Sequence, residues 1–148
     1  MANWFECKVR YDKTQENGGV KKVSEPYLVD ALSFTEAEAR ITEERMPYIS
    51  GDYSVSAVKR TRITDVFRDD TGDKWYMCKL AFVNIDERTG SEKKTTTLVL
   101  VQAKDFRTAL DNLVDEMKGA QDYDIVSITE TMIMDVYNVK LDKFEKKD

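Results

Sequence analysis

The hexapeptide Trp4-Phe5-Glu6-Cys7-Lys8-Val9 recurs as Trp75-Tyr76-Met77-Cys78-Lys79-Leu80, at an offset of 71 residues. The residues after each copy correspond as well. Leu28-Val29-x-Ala31 matches Leu100-Val101-x-Ala103, and residues 53–67 match 123–137. In the last pair of segments Tyr53/Tyr123, Thr61/Thr131, Ile63/Ile133, Asp65/Asp135 and Val66/Val136 are identical. The offset drifts only near the turns, where insertions are tolerated. A chain of this kind folds one small unit twice, and it reads as a tandem duplication.

Each copy has the same order of local signals. Residues 3–12 alternate, with Phe5, Cys7, Val9 and Tyr11 on one side and Trp4, Glu6, Lys8 and Arg10 on the other. That is the pattern of a strand with one buried face. Asn17-Gly18-Gly19 supplies a hairpin turn, and residues 20–31 return as a second strand, with Pro26 marking a bulge or an edge. Ser33-Phe34-Thr35-Glu36 is a capping box that opens a helix. Phe34, Ala37, Ile41 and Tyr48 are its expected buried stripe, and Pro47 and Gly51 end it. Residues 53–67 then form a strand longer than the usual five or six residues, so a bend or bulge is expected midway.

The second copy repeats this with strands at 74–86 and 91–103 around Glu87-Arg88-Thr89-Gly90. Asp105 takes the cap position, and Phe106, Ala109, Leu110, Leu113 and Met117 are the expected helix stripe. The fold class is therefore α+β, a duplicated β-β-α-β unit. The simplest assembly is an antiparallel sheet of about six strands with two helices on one face. The expected divisions are 1–67, a linker at 68–73, 74–137, and a charged tail at 138–148 expected to fray.

Composition narrows the function. The net charge of −5 argues against a protein that coats duplex DNA by bulk field, although 23 Lys and Arg leave room for a local basic face. The absence of histidine removes histidine-dependent triads, general bases and metal sites. The start of the chain has no secretory pattern, and no apolar run approaches the roughly 18 residues a membrane span needs. A cytoplasmic protein with no membrane association is expected, its cysteines reduced and buried. No glycine-rich phosphate loop, Cys-x-x-Cys pair or Gly-x-Ser-x-Gly elbow is present, so nothing points to an enzyme, and no cofactor or metal is expected. Asp69-Asp70-x-x-Asp73 lacks the spacing and the distal glutamate of a calcium loop.

The candidate binding residues are Trp4, Lys8, Arg10, Trp75 and Lys79, on the face opposite the core, with Arg60 and Arg62 from the long strand. Lys21, Lys22, Lys93 and Lys94 flank them at the hairpins. Rings and cations on an uncovered sheet are what single-stranded nucleic-acid binders use, and a nucleotide can use the same groups. Two competing readings stand beside this one. A tryptophan in such a strand is more often a packing residue, and a pair of exposed tryptophans also suits a homodimer or adaptor interface. Residues 58–62 are basic, whereas their counterparts 128–132 are not, so the copies have diverged in charge.

Residues 3–11 together with Glu25-Pro-Tyr-Leu-Val-Asp-Ala-Leu-Ser-Phe-Thr-Glu-Ala-Glu-Ala-Arg40 resemble a domain-of-unknown-function family. The family's members are short cytosolic bacterial proteins, also found in phage and mobile elements. The resemblance implies no activity or site residues, only a setting in which small nucleic-acid binders and host-interaction proteins are common. The leading expectation is a non-enzymatic protein that binds single-stranded nucleic acid or a nucleotide. The alternative is a protein–protein adaptor or inhibitor acting as a homodimer through the same face.

Overall fold

The computed structural model describes residues 3–120 and 122–138. In chain order these form β1 (Trp4–Thr14), β2 (Val20–Asp30), α1 (Phe34–Arg45), a short 3-10 turn (Met46–Tyr48), β3 (Tyr53–Arg60) and β4 (Ile63–Phe67). Then come β5 (Lys74–Ile85), β6 (Glu92–Ala103), α2 (Phe106–Glu116), β7 (Tyr123–Glu130) and β8 (Val136–Tyr137). The α+β class holds, with two helices and eight strands in two mixed sheets.

The strands do not form one antiparallel sheet of about six. They form two sheets of four, in the orders β3-β1-β2-β8 and β4-β6-β5-β7. The reason lies in the long third strand expected in each half of the sequence. It breaks after Arg60 and after Glu130, and its distal part pairs parallel to the hairpin strand of the other half. Val136 pairs with Leu28, and Val66 with Leu100. The chain accordingly divides into two compact units, one of residues 3–61 with 132–138 and one of 62–131. The expected linker at 68–73 lies inside the second unit, after β4. Of the expected tail, only Asn138 is among the described residues.

In the first unit, Trp4 pairs with Asp30 and Thr14 with Val20, closed by a turn in which Gln15 N–H donates to the Gly19 carbonyl at 2.7 Å. Gly18 there has φ 85°, a conformation that favours glycine. The Ser33 hydroxyl accepts the Glu36 N–H at 3.1 Å, as the capping box predicts. Beneath α1, packed against its Ala37 and Ile41, lie Phe5, Cys7, Val9, Tyr27, Val29 and Ala31. The helix stripe is shorter than the periodicity suggests, because Phe34 and Tyr48 are exposed and only its middle, Ala37 and Ile41, is buried.

The second unit is built alike. Tyr76, Cys78, Leu80, Val99, Val101 and Ala103 lie under Ala109 and Leu113 of α2. Asp105 caps that helix by accepting the Thr108 N–H at 2.8 Å. Both middle strands carry a register shift against their edge neighbour, at Lys8/Val9 and at Lys79/Leu80. Such bulges twist an edge strand and blunt its tendency to pair with another chain. Both units also close the third strand with one device. The backbone N–H and the hydroxyl of Thr61 donate to the Trp4 carbonyl at 2.9 and 2.8 Å. Thr131 does the same to Trp75, at the same distances.

Candidate functional site

Alternation places Trp4 and Trp75 on the faces away from the helices, as expected, but neither ring is available to a ligand. Trp4 is 4% exposed and Trp75 is 1% exposed. Other residues of those faces are buried with them, Leu28 in the first unit and Leu100 in the second. The Arg68 guanidinium lies 5.9 Å from the centre of the Trp75 ring. The tryptophans are packing residues, and the stacking platform built on them is corrected accordingly. Large aromatic side chains bury roughly 150–250 Å² each, so a half-covered sheet end gains most by covering them.

The cations divide among several places. Lys8 and Arg10 are exposed on the face away from α1. Arg10 and Lys22 share a recess of about 250 Å³ with Asp12, Asp52, Tyr53 and Ser54, where the carboxylates offset their charge. Lys21, Lys93 and Lys94 are exposed on the hairpins. Arg60 is on the other side from Lys8, because it pairs with Phe5 on the helix face. Its guanidinium lies 5.4 Å from the centre of the Phe5 ring and 5.9 Å from that of Phe34.

Arg62 and Lys79 come together. Both line a cavity of about 350 Å³ in the second unit, with Thr96 and Leu98. Strand register explains the meeting. Lys79 faces Leu98 across the β5–β6 hairpin, and Thr96 faces Ala81 two pairs further along the same strands. Ile63, the first residue of β4, pairs with Leu98 from the opposite edge and brings the preceding Arg62 alongside. The Thr64 hydroxyl donates to the Leu98 carbonyl at 3.2 Å and fixes that crossing. Among the described residues neither cation makes an ion pair. Two cations and a hydroxyl around one small cavity suit an oxyanion. A guanidinium offers paired donors to a phosphate, an ammonium a point charge, and such charge-assisted bonds are the strong ones.

Thr96 and Leu98 are the residues that the sequence reading missed. The signal was present: the turn at 87–90 fixes the hairpin register, and that register puts Leu98 opposite Lys79 and Thr96 opposite Ala81, on the same face.

The rest of the surface offers less chemistry. A recess of about 640 Å³ at the far end of the second hairpin is acidic, with Glu92, Asp122 and Asp124 beside Val83, Ile85 and Tyr123. Among the described residues no group of three or more cysteines and carboxylates is placed to hold a metal ion. Cys7 and Cys78 are free thiols with no exposure. Burial pushes Cys7 up to about 12, with help from the charges of Glu6 and Glu38, and pushes Cys78 up to about 11. Both stay protonated at neutral pH, so neither is a nucleophile.

The turn 69–72 is a locked polar corner. The Asp69 carboxylate accepts the Thr71 hydroxyl at 2.6 Å and the Asn112 amide at 2.9 Å, and those bonds, Thr71 first, hold it below the usual carboxylate range. Gln102 joins the corner by donating to the Gly72 carbonyl at 3.0 Å. Its donors and acceptors satisfy one another, which is the signature of a structural corner. No helix of the described residues is long and apolar enough to cross a membrane.

No curated protein matches the chain. A family model does match, over residues 3–139, nearly the whole sequence. The chain belongs to the family described as a domain of unknown function, DUF4494.

Proposed function

We propose that this is a non-enzymatic binding protein that holds a phosphate-bearing ligand, single-stranded nucleic acid or a nucleotide, at the Arg62–Lys79 cavity. The observation that carries the reading is that cavity: two exposed cations, Arg62 from the break between β3 and β4 and Lys79 from β5, without ion-pair partners among the described residues, around a threonine. It replaces a reading in which tryptophans stack on bases, since both rings are covered within one chain. The same burial weakens the alternative of a homodimer or adaptor formed through the tryptophan-bearing face. The buried, protonated thiols favour binding over catalysis and suit a reducing cytoplasm. The family resemblance adds a phage or mobile-element setting.

The reading includes a tandem duplication of one β-β-α-β unit. Its support is the shared order of elements, the matching bulges at Lys8/Val9 and Lys79/Leu80, and the identical bonds from Thr61 and Thr131.

The test is the fluorescence anisotropy of a labelled oligo-dT at low salt, with inorganic phosphate and dTMP as competitors. Wild type is expected to bind and to lose affinity steeply as salt rises. Lys79→Met is expected to weaken binding by about tenfold, the worth of one charge-assisted bond. No binding of any of these probes to wild type would sink the reading.

A further inference from the structure

Phe34 occupies the first position of α1, where the helical periodicity calls for a core residue. It is nevertheless 51% exposed. Its ring stands edge-on to Phe5, with centroids 5.0 Å apart and planes at 69°. Arg60, also exposed, holds its guanidinium near both rings, at 5.4 and 5.9 Å. An open aromatic ring and an open guanidinium therefore sit side by side in the first unit, on the helix side of the sheet and wholly apart from the tryptophans.

The corresponding place in the second unit has the ring without the arginine. Phe106 is 55% exposed and stands edge-on to Tyr76 at 6.5 Å. Glu130 holds the position of Arg60 and faces the Lys74 ammonium at 3.8 Å. An exposed phenylalanine at the same helix position in both units shows that the fold tolerates an open ring there. The charge beside it has changed sign between the two. Bases stack on aromatic rings and on arginine planes alike, and a cation close to the ring is complementary to the phosphate that accompanies each base.

We infer that Phe34 and Arg60 form a base-stacking site for single-stranded nucleic acid, with Phe34 taking the base and Arg60 its phosphate or its second face. The inference rests on the proposed function, since it assumes that the ligand is nucleic acid. It extends that reading by assigning a base contact to a residue outside the Arg62–Lys79 cavity. It also makes the second unit the natural control, since Glu130, at the position of Arg60, offers a phosphate no donor and is paired with Lys74.

The experiment compares two probes on the full chain at low salt: a labelled oligo-dT, and an abasic sugar–phosphate strand of equal length. Phe34→Leu is expected to weaken oligo-dT by about tenfold, the loss of one stacked base, and to leave the abasic strand unchanged. Phe34→Tyr keeps a ring and is expected to bind oligo-dT like wild type, which separates stacking from folding. Arg60→Gln is expected to weaken both strands, and Phe106→Leu neither.

Unchanged oligo-dT affinity in Phe34→Leu overturns the inference; if Lys79→Met still weakens binding, the cavity reading stands without it. Equal weakening of both strands by Phe34→Leu also overturns it, because a base contact cannot act on a strand without bases. If Lys79→Met binds like wild type while Phe34→Leu loses only oligo-dT, the base site stands and the cavity reading fails. A wild type that binds neither strand overturns both.

Discussion

Thr61 and Thr131 make the same two hydrogen bonds to equivalent tryptophan carbonyls, yet the side chains just after them do not match. In the second unit the next position is filled by Arg62, which shares a cavity with Lys79, Thr96 and Leu98. In the first unit it is Met132, 78% exposed, and the counterparts of the other three residues are Lys8, Ser24 and Pro26. The backbone device is the same in both, and the charge is not. The reverse holds at the helix starts, where Arg60 lies beside Phe34 in the first unit and Glu130 pairs with Lys74 in the second. The scaffold and the exposed charge vary independently. What repeats, the buried tryptophan, the buried cysteine, the bulge and the threonine clamp, holds the fold. What differs is exposed and charged.

The comparison is tested most severely at the tryptophans. Trp4→Ala and Trp75→Ala are each expected to cost about 3–5 kcal/mol, since each removes a large buried ring and leaves a cavity. Urea unfolding followed by circular dichroism measures this. A tolerated substitution at either position would break the claim that both are packing residues.

The next largest effect separates the units. Gly72 sits against Ala103, and a Cβ there would stand 2.3 Å from the Ala103 carbonyl carbon. Backbone cannot yield as a flexible side chain can. Gly72→Ala is therefore expected to cost about 1–3 kcal/mol or more in the same urea experiment. In the second unit this close approach follows from the locked corner of Asp69, Gln102 and Asn112, which draws the chain onto β6. Wild-type stability in the variant would show that the corner is looser than these bonds imply.

A smaller difference lies in the alkaline range. Both thiols have native values raised above the ordinary 9.0, Cys7 to about 12 and Cys78 to about 11. Above pH 9 the unfolded chain sheds these protons while the folded chain keeps them, so stability falls as pH rises. The fall runs from pH 9 towards about 11 for Cys78 and about 12 for Cys7. Each thiol is expected to contribute about 1 kcal/mol of that loss by pH 10. Cys7→Ala and Cys78→Ala should each flatten the decline in urea unfolding measured against pH. A decline as steep as wild type in both variants would remove the thiols from the account.

These features were unequally legible. Strand alternation assigned Cys7, Cys78, Phe5 and Tyr76 to the helix-covered faces, and the caps at Ser33 and Asp105 followed from local chemistry. Period-two patterning also put Trp4 and Trp75 on the other faces. It carries no information about what covers a second face, so it left packing and stacking both open, and the burial decides for packing. The exchange of the distal strands between the two halves of the sequence was hidden for a related reason. Residues 53–67 have no proline or glycine to mark a break, and the parallel pairing of Val66 with Leu100 is a non-local choice. Arg62 and Lys79 were both visible as candidates, but their meeting depends on that crossing. Phe34 was misplaced because helical spacing treats the first turn like the middle, although α1 covers the sheet only from Ala37 onward.

The central claim is that the second unit's cavity, and not its counterpart in the first, holds the phosphate. Exchanging the residues that distinguish them tests this most directly, with Arg62→Met and Met132→Arg assayed by oligo-dT anisotropy across a salt series. Arg62→Met is expected to weaken binding by about tenfold and to lower the salt slope by about one. Met132→Arg, which adds a cation at the equivalent position of the first unit, is expected to cost no affinity. An Arg62→Met protein with the affinity and salt slope of wild type would contradict the account.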